Sequence, residues 1–136
     1  MLENSKINIR IKLAALWTSL LFLFIYGDYF EMYTPGKVEN LMNVTDILDS
    51  PFKLFMASFV LAIPSLMIAL TILMKPNVNR ILNITFGTFF TLVVLLVGGG
   101  SITPWYSFYV FYAALEAILA IAIVRQAWKW PREISV

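Results

Sequence analysis

Apolar residues fill this chain in four long blocks, and within each block they fall on every side of a helix instead of along one stripe. A helix that is hydrophobic all round lies in a large core or in lipid. The blocks predict an all-α, four-transmembrane-helix bundle with spans at about 13–33, 52–74, 81–97 and 105–124. The first apolar run, residues 13–27, rises only about 22 Å against about 30 Å of hydrocarbon. Its helix is therefore expected to continue through Asp28 and Glu31 to Tyr33 and to stop at Thr34-Pro35-Gly36, where Pro-Gly marks a turn. Basic residues before a short apolar run also describe a secretory signal peptide. Tyr26-Gly27-Asp28-Tyr29-Phe30 offers no small-x-small cleavage site, however, so an uncleaved first span is expected.

The connections are short except one. Residues 37–50 (KVENLMNVTDILDS) place Val38, Leu41, Met42, Ile47 and Leu48 at rough helical spacing, which fits a short interfacial helix as well as an ordinary surface loop. Ser50-Pro51 is a good helix start, with Ser as N-cap and Pro at the first helical position. Pro64 near the middle of the second span removes a backbone hydrogen bond and is expected to kink it. Lys75 to Arg80 reads as a short polar link that makes spans two and three antiparallel neighbours, and the Gly98-Gly99-Gly100 run with Pro104 separates spans three and four. That glycine run is no phosphate loop, because the Gly-Lys-Ser/Thr that should follow is missing. Asn43-Val44-Thr45 and Asn83-Ile84-Thr85 match the glycosylation tripeptide, a match too common to carry weight.

Composition agrees with the pattern. Hydrophobic residues make up 60% of the 136 and charged residues 13%, with a mean hydropathy of +0.82; soluble domains run nearer about 45–50% and about 25%. The whole chain, 1–136, reads as a single four-helix membrane domain with no separate soluble module. Cys and His are both absent, which removes disulfides, thiol nucleophiles, haem attachment, His-ligated zinc and imidazole acid–base chemistry together. No cofactor motif, metal-ligand cluster or nucleic-acid signature is visible. Basic residues divide unevenly: Lys6, Arg10, Lys12, Lys75, Arg80, Arg125, Lys129 and Arg132 on one side, Lys37 and Lys53 on the other, which is 8 against 2 of the 10. The positive-inside rule then predicts that both termini are cytoplasmic. Acidic residues split the opposite way, with Glu3 and Glu133 on the basic side and Asp28, Glu31, Glu39, Asp46 and Asp49 on or near the other.

Glu116 is the one acidic residue left in the hydrocarbon, about 16 Å below Trp105 and about 14 Å above Arg125 at helical rise. An ionisable group there is costly unless it faces the bundle, a partner or a water-filled cavity, and desolvation favours its neutral form. Tyr112, Tyr109 and Trp105 fall on its face of the helix and lead towards the outer surface. Glu116 is thus a candidate proton or ligand site with Tyr112 and Tyr109. Equally, it is a candidate for structural glue, hydrogen-bonded to Tyr112, Ser65, Thr91 or Thr18. Asp28 and Glu31 share one helical face near the outer end of span one, where they could hold a cation, share a proton or bind an organic ammonium group among Tyr26, Tyr29, Phe30 and Tyr33. A solvated acidic cluster, or partners for Lys37 or Lys53, is the plainer alternative. Arg10, Lys12 and Arg80, with Asn83 nearby, are expected to reach for anionic headgroups. Two stripes, Asn83-Gly87-Thr91-Gly98 and Ser58-Ala62-Ser65-Ala69, are expected to be helix-packing seams.

The segments IKLAALW at 11–17, YGDYFEMYTPG at 26–36, NRILNITFG at 79–87, and a last span with Pro104, Tyr106, Phe108, Glu116 and AWKWP at 127–131 resemble a family of small bacterial membrane proteins catalogued as a domain of unknown function. The resemblance spans nearly the whole chain. It implies four transmembrane helices and a bacterial plasma membrane, and no activity. A looser similarity is to DoxX-like four-helix proteins, on size and topology alone. Three functions remain open. One is a membrane-embedded binding or transport unit for a proton, cation or small solute using Glu116, which a homo-oligomer would help to complete. Another is a structural or accessory subunit whose surroundings are the lipid bilayer. The third, an intramembrane enzyme on a lipid-soluble substrate, is disfavoured by the missing His, Cys and cofactor motifs.

Overall fold

The computed structural model describes residues 1–132 and leaves out 133–136, so Glu133, assigned above to the basic side, lies outside the described residues. Its helices are α1 (Ile9–Glu31), α2 (Lys37–Met42), α3 (Pro51–Leu73), α4 (Pro76–Gly99) and α5 (Ser107–Trp128), with one 3₁₀ turn at Pro104–Tyr106 leading into α5. Four segments are long and apolar enough to cross a membrane: Ile9–Glu31, Pro51–Leu73, Pro76–Gly99 and Pro104–Trp128.

Local chemistry sets the helix ends. Asn8 caps α1, its Oδ1 accepting from the Arg10 N–H at 2.9 Å, so the helix starts at Ile9, ahead of the apolar run, and it ends at Glu31 instead of Tyr33. Ser50 caps α3 as expected, accepting from the Lys53 N–H at 3.2 Å. The larger difference is at α4. Pro76 sits at its first position, where a fixed φ favours helix, and the polar residues 77–80 become its first turn and not a link. Of the long connection, only Lys37–Met42 is helical. Gly36, at φ 78°, supplies the left-handed residue that turns the chain into it.

Around the bundle, α1 packs on both α3 and α5, α5 packs on α4, and α3 and α4 touch only sparingly although they are consecutive. The core lies in the half of the bundle where both termini are found. Leu13, Trp17 and Leu20 of α1 meet Met67 of α3, Phe90 of α4, and Ala120, Ile123 and Ala127 of α5. Trp17 and Phe90 meet edge to face, 6.0 Å between centroids. The seam between α4 and α5 runs over glycines, as the first stripe predicted. A Cβ on Gly98 would lie 2.6 Å from the Ala113 Cβ, and one on Gly87 would lie 2.8 Å from Val124 Cγ2. The second stripe behaves differently. Ser58, Ser65 and Ala69 are exposed, and α3 turns Pro64, Met67 and Thr71 inward. α3 runs unbroken through Pro64, whose missing N–H leaves the carbonyl of Val60 without its helical donor.

The two arginines expected among headgroups are instead tied to backbone. Arg10 Nη1 donates to the carbonyl of Ile72 at 3.1 Å, and Arg80 Nε donates to that of Ala127 at 3.1 Å. In each case a cation at the start of one helix satisfies a carbonyl at the end of its neighbour, where the helix dipole favours positive charge. Lys12 remains exposed.

Candidate functional site: a cavity among the four spans

Beyond the core, towards the end of the bundle opposite the termini, side chains no longer fill the space between the helices. A cavity of about 130 Å³ lies there, walled by α1, α3, α4 and α5 together. Its walls are mostly apolar: Phe24 on α1, Val60 and Leu61 on α3, and Phe90, Val94 and Val97 on α4. Three polar side chains interrupt them. Asp28 comes from α1, with Tyr109 and Glu116 from α5. Positions 109, 113 and 116 recur every three or four residues, which puts Tyr109, the small Ala113 and Glu116 on one face of α5. Gly98 lets α4 approach that face so closely that the cavity cannot be wider there.

Glu116 is half-buried, and Asp28, Leu61 and Val97 are exposed while also lining the cavity, so the space connects with the bundle surface. None of the three polar residues has a side-chain hydrogen bond or ion pair among the described residues. No buried polar side-chain atom among the described residues is orphaned either, so their polar atoms open onto free space. The partners expected for Glu116 are engaged elsewhere. Thr18 Oγ1 donates to the Ala14 carbonyl at 2.8 Å, Thr91 Oγ1 donates to that of Gly87 at 2.7 Å, and Ser65 is exposed. Tyr112 packs its ring against Phe30 at 6.4 Å and lines an apolar groove on the α1–α5 surface with Trp105, Tyr33 and Phe108. The aromatic stripe of α5 is therefore divided, Tyr109 facing the cavity and Tyr112 the outside groove.

Asp28 and Glu31 are divided in the same way. Glu31 pairs with Lys37 at 3.0 Å and accepts from the Tyr106 hydroxyl at 3.3 Å. Lys37 also pairs with Asp46 at 2.8 Å, so one ammonium fastens α1, α2 and the following loop. Burial alone would push the Lys37 pKa down. Hydrogen bonds to Asp46 and Glu31, with the attraction of both charges, outweigh burial and raise it above the ordinary lysine range. The Lys37 hydrogen bond, and after it the Ile47 N–H, hold Asp46 below the usual carboxylate range. Glu31 is thus a fastening, and Asp28 belongs to the cavity.

The sequence reading missed a buried polar network beneath the cavity. Trp17 Nε1 donates to Asn83 Oδ1 at 2.7 Å. Asn83 Nδ2 donates to Asn79 Oδ1 at 2.7 Å and to the Asn79 carbonyl at 2.9 Å, and Asn79 Nδ2 donates to the Thr71 carbonyl at 2.6 Å. All four residues are buried, and the network joins α1, α3 and α4. The signal was available: two asparagines one turn apart, at 79 and 83, must find partners inside a hydrocarbon span.

Four apolar spans around an internal cavity, with charge concentrated at the two ends, define a multi-pass, four-helix membrane protein. The profile of the family of unknown function DUF6326 matches residues 3–135, and the chain belongs to that family. No curated protein matches the chain, and no solved structure does. The looser likeness to DoxX-like proteins gains no support from these comparisons.

Proposed function

We propose that this protein is a membrane-embedded binding unit whose site is the cavity, and that Glu116 and Asp28 together hold a proton or one small cation there, with the Tyr109 hydroxyl as a third ligand. The observation that carries the reading is the convergence of three unpartnered polar groups on one otherwise apolar space. A carboxyl at hydrocarbon depth without a protein partner is costly, and it is retained where it handles an ion or proton. The volume of about 130 Å³ supports a small occupant; pockets for drug-sized ligands run about 300–1,000 Å³. The alternative, glue for helix packing, loses force because the Trp17–Asn83–Asn79–Thr71 network already joins the spans and Glu116 joins none. We further place the chain in a bacterial plasma membrane, as the family resemblance implies, and on the basic-residue asymmetry we place its basic end in the cytoplasm, so that Asp28 faces the outside.

Infrared difference spectroscopy of the reconstituted protein tests the site, stepping pH from 5 to 9 and then adding sodium or ammonium. We expect a carboxyl band that responds to pH or cation and is lost in Glu116→Gln. A response identical in wild type and Glu116→Gln under every condition would overturn the proposal.

A further inference from the structure

We infer that the groove between α4 and α5, near the end of the bundle that holds the termini, binds one anionic phospholipid. An acyl chain lies in the groove and the phosphate rests on Arg125 and Lys129. The groove has a volume of about 320 Å³ and is apolar along most of its length, with Leu92, Ile121 and Val124 among its walls. It ends at Arg125, in the last turn of α5, and at Lys129, the residue that caps α5, and both line it. From Ile121 to Trp128 the helix rises about 10 Å, enough for a chain to lie below a headgroup at the cationic end.

Three observations point to an anionic lipid over any other apolar occupant. First, neither Arg125 nor Lys129 forms an ion pair among the described residues, whereas Lys37 and Lys53 at the opposite end both do. Second, the neighbouring Arg80 is already engaged. Arg80 donates to the Ala127 and Trp128 carbonyls and stacks over the Trp128 ring at 5.3 Å, so it positions that indole. Third, Trp128 is 67% exposed at the mouth of the groove, and exposed indoles of membrane proteins collect at headgroup depth. A groove in hydrocarbon, an indole at the interface and two cations without an ion pair among the described residues match an acyl chain, a glycerol region and a phosphate in that order.

Native mass spectrometry of the full chain tests this, with the protein released from micelles containing equal phosphatidylglycerol and phosphatidylcholine of matched chains. Two cations at a surface of this kind correspond to roughly a twenty-five-fold preference for the anionic lipid, about fivefold each. Arg125→Gln/Lys129→Gln should abolish the preference. Thr88→Phe, which fills the groove, should lower retention of both lipids. Lys6→Gln/Lys75→Gln removes the same charge from the same end away from the groove and should leave the preference intact. Equal retention of the two lipids by the wild type would overturn the inference. So would an equal loss of preference in both double variants, because the attraction would then be diffuse and the groove irrelevant.

Discussion

An asparagine in hydrocarbon has donors and acceptors to satisfy and no water to satisfy them, and Asn83 meets the demand with three helices at once. Its Oδ1 takes the Trp17 indole N–H and its Nδ2 serves Asn79, so no member of the network is left unpaired. Interhelical hydrogen bonds in membranes are modest, about 0.6 kcal/mol on average and up to about 1.7. Leaving a buried donor unpaired costs more, about 1–3 kcal/mol. Asn83→Ala strands the Trp17 N–H and half of Asn79, so it should lower stability by about 2–3 kcal/mol; Trp17→Phe keeps most of the ring and should cost about 1. SDS-driven unfolding in bicelles can measure both and their coupling. A double variant whose loss equals the simple sum of the singles would mean that the 2.7 Å contact contributes nothing.

Glycine spacing does for the helices what hydrophobicity does in water. Lipid is as apolar as leucine, so α4 and α5 gain little by hiding apolar surface and much by close packing. At Gly98 the approach is closest, and a methyl group there would lie 2.6 Å from the Ala113 Cβ, an atom anchored to backbone that cannot swing aside. At Gly27 a Cβ would meet Tyr112 Cδ2 at 3.6 Å, an ordinary contact. Gly98→Ala should therefore push α4 from α5 and cost about 1–3 kcal/mol, while Gly27→Ala should unfold at the same detergent fraction as the wild type. Equal stability of the two variants would show that the α4–α5 seam is looser than 2.6 Å implies.

The bundle as an object has two unlike ends. α1 and α4 begin, and α3 and α5 finish, at the end that carries most of the cations, where Arg10 and Arg80 close the ends of neighbouring helices. The opposite end is fastened by the Glu31–Lys37–Asp46 cluster and contains the cavity mouth. Between them, α3 and α4 are joined by a short connection and yet barely pack, which leaves room for the cavity on the side they share. This arrangement predicts that reporters fused after residue 136 and inside residues 38–48 occupy opposite compartments, the first cytoplasmic by the positive-inside rule. Both reporters active in one compartment would contradict the four-span arrangement itself.

Number and approximate extent of the spans were legible in the residues alone, because length and unbroken apolarity are local properties and a bilayer imposes one thickness on all of them. The Ser50-Pro51 helix start and the glycine seam of α4 were legible for similar reasons, the first resting on a cap and the second on side-chain size. Rotation of each helix about its axis was not. In water, a polar stripe shows which face is outside; here α3 is apolar apart from Lys53, Ser58, Ser65 and Thr71, and nothing in Ser58, Ser65 or Ala69 marks them as facing outward. Nor could spacing divide Tyr109 from Tyr112, or Asp28 from Glu31, since each pair lies within one turn of a single helix. Packing decided those positions: Gly98 against Ala113, Trp17 against Phe90, and Asn83 reaching Trp17 orient the helices, and that orientation turns Glu116 and Asp28 towards one cavity.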